Sequence, residues 1–468
     1  MFGGMSKLWI TSFVSEFENR IRLKTNREDC LSYGQDHTED LVFCPDVVAE
    51  VTSKEDVRDI LKWAYDHDVA VTPSGALTGL SGGALPVNGG VALSFRRMNR
   101  ILEVDEVNQQ VRLEPGVIVE ELQRTVAEKG LFYAVDPASK GSCTIGGNIA
   151  ENSGGPRAVK YGVTKDWVLN LEVVLMDGMV LKTGADTLKN STGYNLTSLM
   201  VGSEGTLGVV TEATLKLLPL PAYNALILVP FLEAMDACRA VAQIFKAGAS
   251  PSAIEFMERE AIELAQEFTG DHSLALDEGV KAHLLIEVDG FRHEDLWPQL
   301  ERIMPVLEEN GAGEPLFADD AASKERLWFL RRRVGEAVKA RSVYKEEDTV
   351  VPRGELPKLL EKVKELGREY GFTSICYGHA GDGNLHVNIL KMNLSDEEWN
   401  RQLPGAIERL FQEVIRLGGT ISGEHGIGWV QKPYMHLAFP PEALAIQKSI
   451  KRAFDPKGLL NPGKIFPD

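Results

Sequence analysis

"DPASKGSCTIGGNIAENSGGPRAVKYGVTKDW", from Asp136 to Trp167, packs six glycines among short amide and hydroxyl side chains. A disordered linker of this length is polar throughout, whereas Ile145, Ile149, Ala150 and Val159 are residues of the buried type. Small residues let a backbone approach a flat aromatic ligand closely, and Asn148 and Asn152 can hydrogen-bond it. Two further glycine-rich stretches lie in the same half: "PSGALTGLSGG" (Pro73–Gly83) and "GSEGTLGVVTE" (Gly202–Glu212). The first matches neither GxGxxG nor GxxxxGK[ST], so Rossmann and P-loop readings fail on spacing. A small-residue loop after a strand can still turn its N–H groups and the hydroxyls of Ser74, Thr78 and Ser81 onto an anion; it can equally be a plain surface turn. Three such loops in one half exceed what turn chemistry needs.

The bulk properties set the outer bounds. A chain of 468 residues predicts two domains or three. Fifty basic against 68 acidic residues leave a net charge of −18, which opposes nucleic-acid binding but not a local basic pocket for a small anion. Cys30, Cys44, Cys143, Cys238 and Cys376 are scattered and form no CxxC pair. Iron–sulfur clusters and Cys-type zinc sites are therefore not expected, and a reducing intracellular compartment is. Glu16 and Glu18 interrupt the apolar N-terminal stretch "MFGGMSKLWITSFVSEFENR", so no signal peptide is expected. No apolar run reaches the roughly 20 residues of a membrane span.

Apolar periodicity predicts a helix over "KEDVRDILKWAYDHD" and another over "VEELQRTVAEKG". "WVLNLEVVLMDGMVLKTG" reads as a hairpin closed by Asp177-Gly178. A change of texture follows Pro219 and Pro221. "ALILVPF", "MDACRAVAQIFKAG", "AHLLIEVDG" and "LWPQLERIMPVLEENG" then alternate as strand and helix, predicting a compact sheet with helices on one face.

In "YGHAGDGNLHVNIL" (Tyr377–Leu390) two histidines stand seven residues apart. On one straight strand they would point to opposite faces, but the Gly-Asp-Gly between them can fold two strand ends back so that the imidazoles converge. Alone, the pattern is also that of an ordinary hairpin. With "GEHG" (Gly423–Gly426) downstream, His379, His386 and Glu424 make a set of three N/O ligands with open positions, the pattern of a catalytic metal. Asp382 reads as a turn former.

At these residues the chain resembles a known family. "PSGALTGLSGG", "CTIGGNIAENSGGPRAVKYGVT" and "VGSEGTLGVVTEATLKL" are similar to the FAD-binding domain of the vanillyl-alcohol-oxidase/PCMH flavoproteins. "GHAGDGNLHVNIL", "SGEHGIG" and "FDPKGLLNPGKIF" resemble the branch holding D-lactate dehydrogenases, glycolate oxidase and D-2-hydroxyglutarate dehydrogenase. The likeness runs from about Tyr33 to the C-terminus. It implies an α+β protein: a PCMH-type two-subdomain FAD-binding domain over 1–220, a ferredoxin-like cap with an antiparallel sheet over 221–425 that carries the metal site, and a segment over 426–468 returning to the FAD domain.

The same resemblance implies non-covalent FAD. Ser74, Gly75, Ala76, Leu77, Thr78, Gly79, Leu80 and Ser81 would hold the pyrophosphate. Pro137, Thr144, Gly147, Asn148, Asn152 and Gly155 would line flavin and ribityl, with Gly205, Gly208 and Val210 at the adenine end. It assigns a divalent metal to His379, His386 and Glu424, Zn²⁺ favoured and Mn²⁺ or Fe²⁺ compatible, and the general base to His425. Arg331, in "LWFLRRRVGEA", would take the substrate carboxylate in a bidentate grip. Lys345, with a one-residue shift in spacing, and Asn388 would also bind substrate.

The implied reaction is oxidation of a D-2-hydroxy acid to the 2-oxo acid, with hydride passing to flavin N5. Gly335 stands where the hydroxyglutarate enzymes carry a hydroxyl residue, which favours lactate or glycolate over a long dicarboxylate. The alternatives are a D-2-hydroxyglutarate dehydrogenase, an O₂-using oxidase, a metallohydrolase whose loops bind a nucleotide, and a flavin-bearing scaffold or electron relay. A separate electron acceptor is expected: an iron–sulfur subunit, an electron-transfer flavoprotein, a quinone or a cytochrome, with no nicotinamide. A homodimer and a cytoplasmic location, reaching the inner membrane through a partner, complete the expectation.

Overall fold

The computed structural model describes residues 8–38 and 41–467, so the first seven residues of the N-terminal stretch lie outside it. The chain divides into two compact units, one of Met1–Gly154, Gly162–Pro219 and Glu424–Asp468, the other of Gly155–Tyr161 and Leu220–Gly423.

In the first unit, helix Lys54–Asp66 starts where Ser53 accepts a hydrogen bond from the Asp56 N–H, a side-chain N-cap. Its Val57, Ile60, Leu61 and Ala64, at helical spacing, pack on a sheet with Phe13 and Phe17 of helix Leu8–Phe17. That sheet runs Arg22–Lys24, Val47–Glu50, Val91–Ser94, Val71–Ser74. The last three strands are parallel and the first is antiparallel. Parallel strands are covered on both faces, and Val47–Glu50 and Val91–Ser94 are buried at every residue. The C-terminal tail adds to this sheet: Leu460 bridges Val71 in parallel, with Val71 N–H donating to Leu459 O (2.9 Å) and Asn461 N–H to Val71 O (2.7 Å).

A second, antiparallel sheet of this unit has the order Ile101–Asp105, Gln110–Leu113, Val209–Lys216, Val168–Val174, Val180–Lys182. The expected hairpin is its last pair. Gly178 turns it at φ +88°, and Asp177 Oδ1 accepts the Met179 N–H.

The second unit is built on seven antiparallel strands in the order Leu316–Ala318, Tyr223–Phe231, Ala282–Gly290, Ala253–Glu258, Thr373–Gly378, Asn384–Leu390, Tyr344–Val350. Helices cover both faces rather than the single face predicted. Helix Arg259–Thr269, inserted between two strands of the alternation, packs with Ala321–Arg341 against Leu226, Met257, Leu285 and Ile375. On the other side, Lys364 of helix Leu356–Tyr370 bonds Glu258 (2.7 Å).

Residues paired across antiparallel strands point to the same side. The pairs Glu255 with Leu285, Met257 with Tyr377, Tyr377 with His386, His386 with Asp348, and Asn388 with Glu346 therefore share the face that carries helix Ala321–Arg341.

Candidate functional site

The three glycine-rich loops meet at one cleft of the first unit. Strand Val71–Ser74 ends in Gly75, helix Ile145–Glu151 begins at the Thr144 cap, and Ser203–Gly208 precedes strand Val209–Lys216. Together they form a cleft open to solvent, lined by Ser74, Gly75, Thr144, Gly147, Gly205, Gly208 and Val210 among others. Two approaches require glycine. A Cβ on Gly75 would stand 2.6 Å from Thr144 Oγ1, and one on Gly205, at φ +63°, 2.6 Å from Pro73 Cγ.

Other residues expected at the cofactor also serve the fold. Leu77 is a buried core residue at φ +62°, and the Ser81 carbonyl accepts the Trp429 and Val430 N–H groups. Pro137 caps a turn through its carbonyl and Lys140 N–H. Asn148 is buried in its helix, and Asn152 is a left-handed C-cap whose Oδ1 accepts the Lys165 N–H (2.9 Å). Gly155 belongs to the second unit.

The polar inventory fits a large polar ligand. Among the described residues the cleft-lining Ser74 Oγ and Glu151 Oε2 are buried without a hydrogen-bond partner, whereas roughly 90% or more of buried polar groups in folded proteins have one. Residues not foreseen flank the cleft. Glu204 accepts the N–H groups of Ile427 (2.8 Å) and Gly428 (2.6 Å), and so clamps the chain just after Glu424 and His425. Burial pushes the Glu204 carboxyl up to about 6, against those two N–H groups. Burial, then the charges of Glu204 and Asp36, raise Glu151 well above the usual carboxylate range. Lys464 is lowered to about 8 by burial. Glu424 is adjacent to the second loop, since a Cβ on Gly154 would lie 2.9 Å from its Oε2.

The second unit gathers its charged groups on the sheet face defined above. The Gly-Asp-Gly segment forms a turn, Ala380–Asp382, between strands Thr373–Gly378 and Asn384–Leu390. Asp382 serves that turn, accepting the Asn384 N–H. The fold-back brings the His379 and His386 rings to 5.3 Å between centroids. His379 Nδ1 meets both oxygens of Glu255 at 2.9 Å, the carboxylate–histidine pairing typical of metal ligands. Glu255 is fully buried. Burial works against its charge, but His379 and Arg331 outweigh it and hold the carboxyl below its ordinary value. His386 Nδ1 lies 3.7 Å from Asp348 and 3.8 Å from Glu346. Asp348 accepts Asn384 Nδ2 (2.7 Å) and the Gly423 N–H (2.8 Å), anchoring the residue that precedes Glu424 in the chain.

Arg331, on helix Ala321–Arg341, is 5% exposed, 2.6 Å from Glu255 and 5.0 Å above the Tyr377 ring. Its Nε, and both amide atoms of the fully buried Asn388, have no hydrogen-bond partner among the described residues. Lys345 does not join them. It pairs with Ile389, so strand alternation turns it to the opposite face, and Glu346 occupies the place beside Asn388.

Glu287, 1% exposed, binds Trp328 Nε1 (3.0 Å), Asn224, Ser252 and Arg157, while Asp289 takes Lys160 and Tyr161. These bonds hold Gly155–Tyr161 in the second unit. The signal for Glu255 and Glu287 is present in the sequence: a lone acid at an alternating position inside an apolar strand, "AIEFME" and "AHLLIEVDG". No helix among the described residues is long and apolar enough to cross a membrane.

Residues 220–465 match the family of FAD linked oxidases, C-terminal domain, and residues 45–184 match the FAD binding domain family. D-lactate dehydrogenase of Anaerostipes hadrus is 40% identical over 425 residues, 90% of this chain and 89% of that protein. Glycolate oxidase subunit GlcD of Bacillus subtilis (strain 168) is 38% identical over 440 residues, 93% of this chain and 92% of that protein. Among solved structures, p-cresol methylhydroxylase with substrate bound aligns at a TM-score of 0.81 and 17% identity, covering 99% of this chain and 98% of its own. At that identity the likeness is one of fold.

Proposed function

The chain belongs to the FAD-linked oxidases, and from that premise we propose that it oxidises a short D-2-hydroxy acid, D-lactate or glycolate, to the 2-oxo acid. The observation that carries this reading is the buried row on one face of the second unit: two convergent histidines, one of them held by a carboxylate, beside an arginine and an amide with unsatisfied polar atoms. Relatives bearing the names D-lactate dehydrogenase and glycolate oxidase subunit GlcD support the substrate class.

In this reading the cleft residues Ser74, Gly75, Thr144, Gly147 and Gly205 hold FAD, and His379, His386 and Glu424 hold a divalent cation, Zn²⁺ by donor type. Bound FAD supplies the hydride acceptor, and the cation supplies the Lewis acidity that lets a very weakly acidic hydroxyl lose its proton near neutral pH. Arg331 takes a carboxylate oxygen of the substrate on its unused Nε, and Asn388 donates from its amide. His425 receives the hydroxyl proton on a ring nitrogen. Glu255 keeps His379 in the tautomer whose Nε2 is the ligand atom. A separate acceptor, an iron–sulfur protein, flavoprotein, quinone or cytochrome, takes the electrons onward.

An anaerobic screen tests this directly. D-lactate or glycolate should bleach the flavin absorbance, while L-lactate should not. Removal of the metal, verified by elemental analysis, should abolish bleaching while FAD stays bound. Full reduction by the metal-free protein would end the metal proposal, and no bleaching by any 2-hydroxy acid would end the substrate proposal.

A further inference from the structure

We propose that Glu346 makes this site selective for monocarboxylic 2-hydroxy acids by opposing a second substrate carboxylate. The inference rests on the reading that Arg331 and Asn388 bind the substrate. Cross-strand register places Glu346 directly opposite Asn388, on the face shared with Tyr377 and His386. Its carboxylate lies 3.3 Å from the Tyr377 hydroxyl, 3.8 Å from His386 Nδ1 and 3.7 Å from Lys339 Nζ, with its side chain 7% exposed.

Charge on this face is unevenly shared. Arg331 is the buried cation there, and one carboxylate group uses it. Each acid of the face has partners: Glu255 has His379 and Arg331, Glu287 has Trp328 and Arg157, Asp348 has Asn384 and Gly423, and Glu346 has Tyr377 and the partly exposed Lys339. Lys345, which would have offered a second cation, faces the other side of the sheet. A dicarboxylate anchored by one end at Arg331 and Asn388 would carry its second carboxylate towards Glu346, which register sets opposite Asn388 and whose charge Lys339 Nζ, 3.7 Å away and 26% exposed, offsets only in part. Like charges out of water repel strongly, and a repulsive element of this kind is an economical way to reject a close analogue. Gly335 adds room but no polarity on the helix side, since a Cβ there would stand 3.0 Å from Tyr377 Oη.

The test is anaerobic stopped-flow flavin reduction by D-lactate, D-malate and D-2-hydroxyglutarate, in the wild type, Glu346→Gln and Glu346→Asp holoenzymes, each with FAD and metal content measured. The wild type should reduce fastest with D-lactate. Neutralising the carboxylate should raise the dicarboxylate-to-lactate ratio of kcat/KM about tenfold or more, whereas the charge-preserving Asp variant should keep that ratio within about threefold of wild type. A Gln variant with full FAD and metal whose ratio does not move overturns the proposal. So does a wild type that handles D-2-hydroxyglutarate as well as D-lactate, a result that needs no variant to fold. A wild type reduced by none of the three removes the premise about the reaction itself, and is told apart by the absence of any bleaching.

Discussion

The two units build their candidate sites by opposite means. The first presents backbone: Gly75, Gly147 and Gly205 reach its cleft from the ends of sheet strands or a helix, with a few hydroxyls and carboxyls between them. The second presents side chains: Glu255, His379, His386, Arg331, Asn388 and Glu346, nearly all buried, on or beside one face of a single sheet. A backbone site depends on close approach and tolerates many neighbours. A buried charged site depends on each partner, because removing one leaves another uncompensated. Damage to the glycine-lined cleft should therefore appear as lost cofactor, and damage to the charged side chains as lost chemistry with cofactor retained.

The most severe test of that contrast is His425→Ala, a charged-site candidate that the chain division assigns to the first unit. A general base contributes about 10²–10⁴-fold, and flavin reduction should fall by that order while FAD content and spectrum persist. Loss of FAD instead would break the separation, because His425 lies on the segment that Glu204 clamps. Next is Glu255→Gln, which keeps the shape but removes the charge facing His379 and Arg331. Metal affinity or activity should drop about 10–100-fold, read by metal content and turnover, again with FAD retained. Gly205→Ala probes the other unit. A Cβ at φ +63° and 2.6 Å from Pro73 combines backbone strain with a clash, and FAD affinity should fall roughly tenfold, measured by flavin release, with metal content unchanged.

The smallest effect concerns stability. Burial lowers His283 from 6.5 to about 4, with Arg259 adding to the shift and Asp277 opposing it. The folded state holds this ring neutral, so the unfolded chain binds the extra proton between those values. Stability should accordingly fall as pH drops, by about 1 kcal/mol at pH 6 and about 3 kcal/mol near pH 4. Denaturant midpoints of His283→Leu across that range should lose this part of the acid sensitivity.

Much of the fold was open to reading along the chain. The hairpin at Asp177-Gly178, the helix Lys54–Asp66 and the turn between His379 and His386 are each set by local chemistry: a positive φ, a cap, a period. The glycine-rich loops that line the cleft were legible for the same reason, as clusters of small residues without a linker's polarity. The structural duties of single residues in them were not: Leu77 packs in the core, the carbonyl of Ser81 holds the tail, and Asn152 caps a helix.

Residue types at short spacing were enough to establish the class of protein and to single out the stretches proposed as cofactor and metal sites. Which side chains share a face emerged only once the strands were paired. Glu255 reaches His379 across 124 positions of chain, and the pairing of Asn388 with Glu346 rather than Lys345 is a matter of register. A shift of one residue turns a strand's side chains over. Spacing along one strand cannot reveal which partner it meets across the sheet, and here that difference of one position sets an acid where a base was expected.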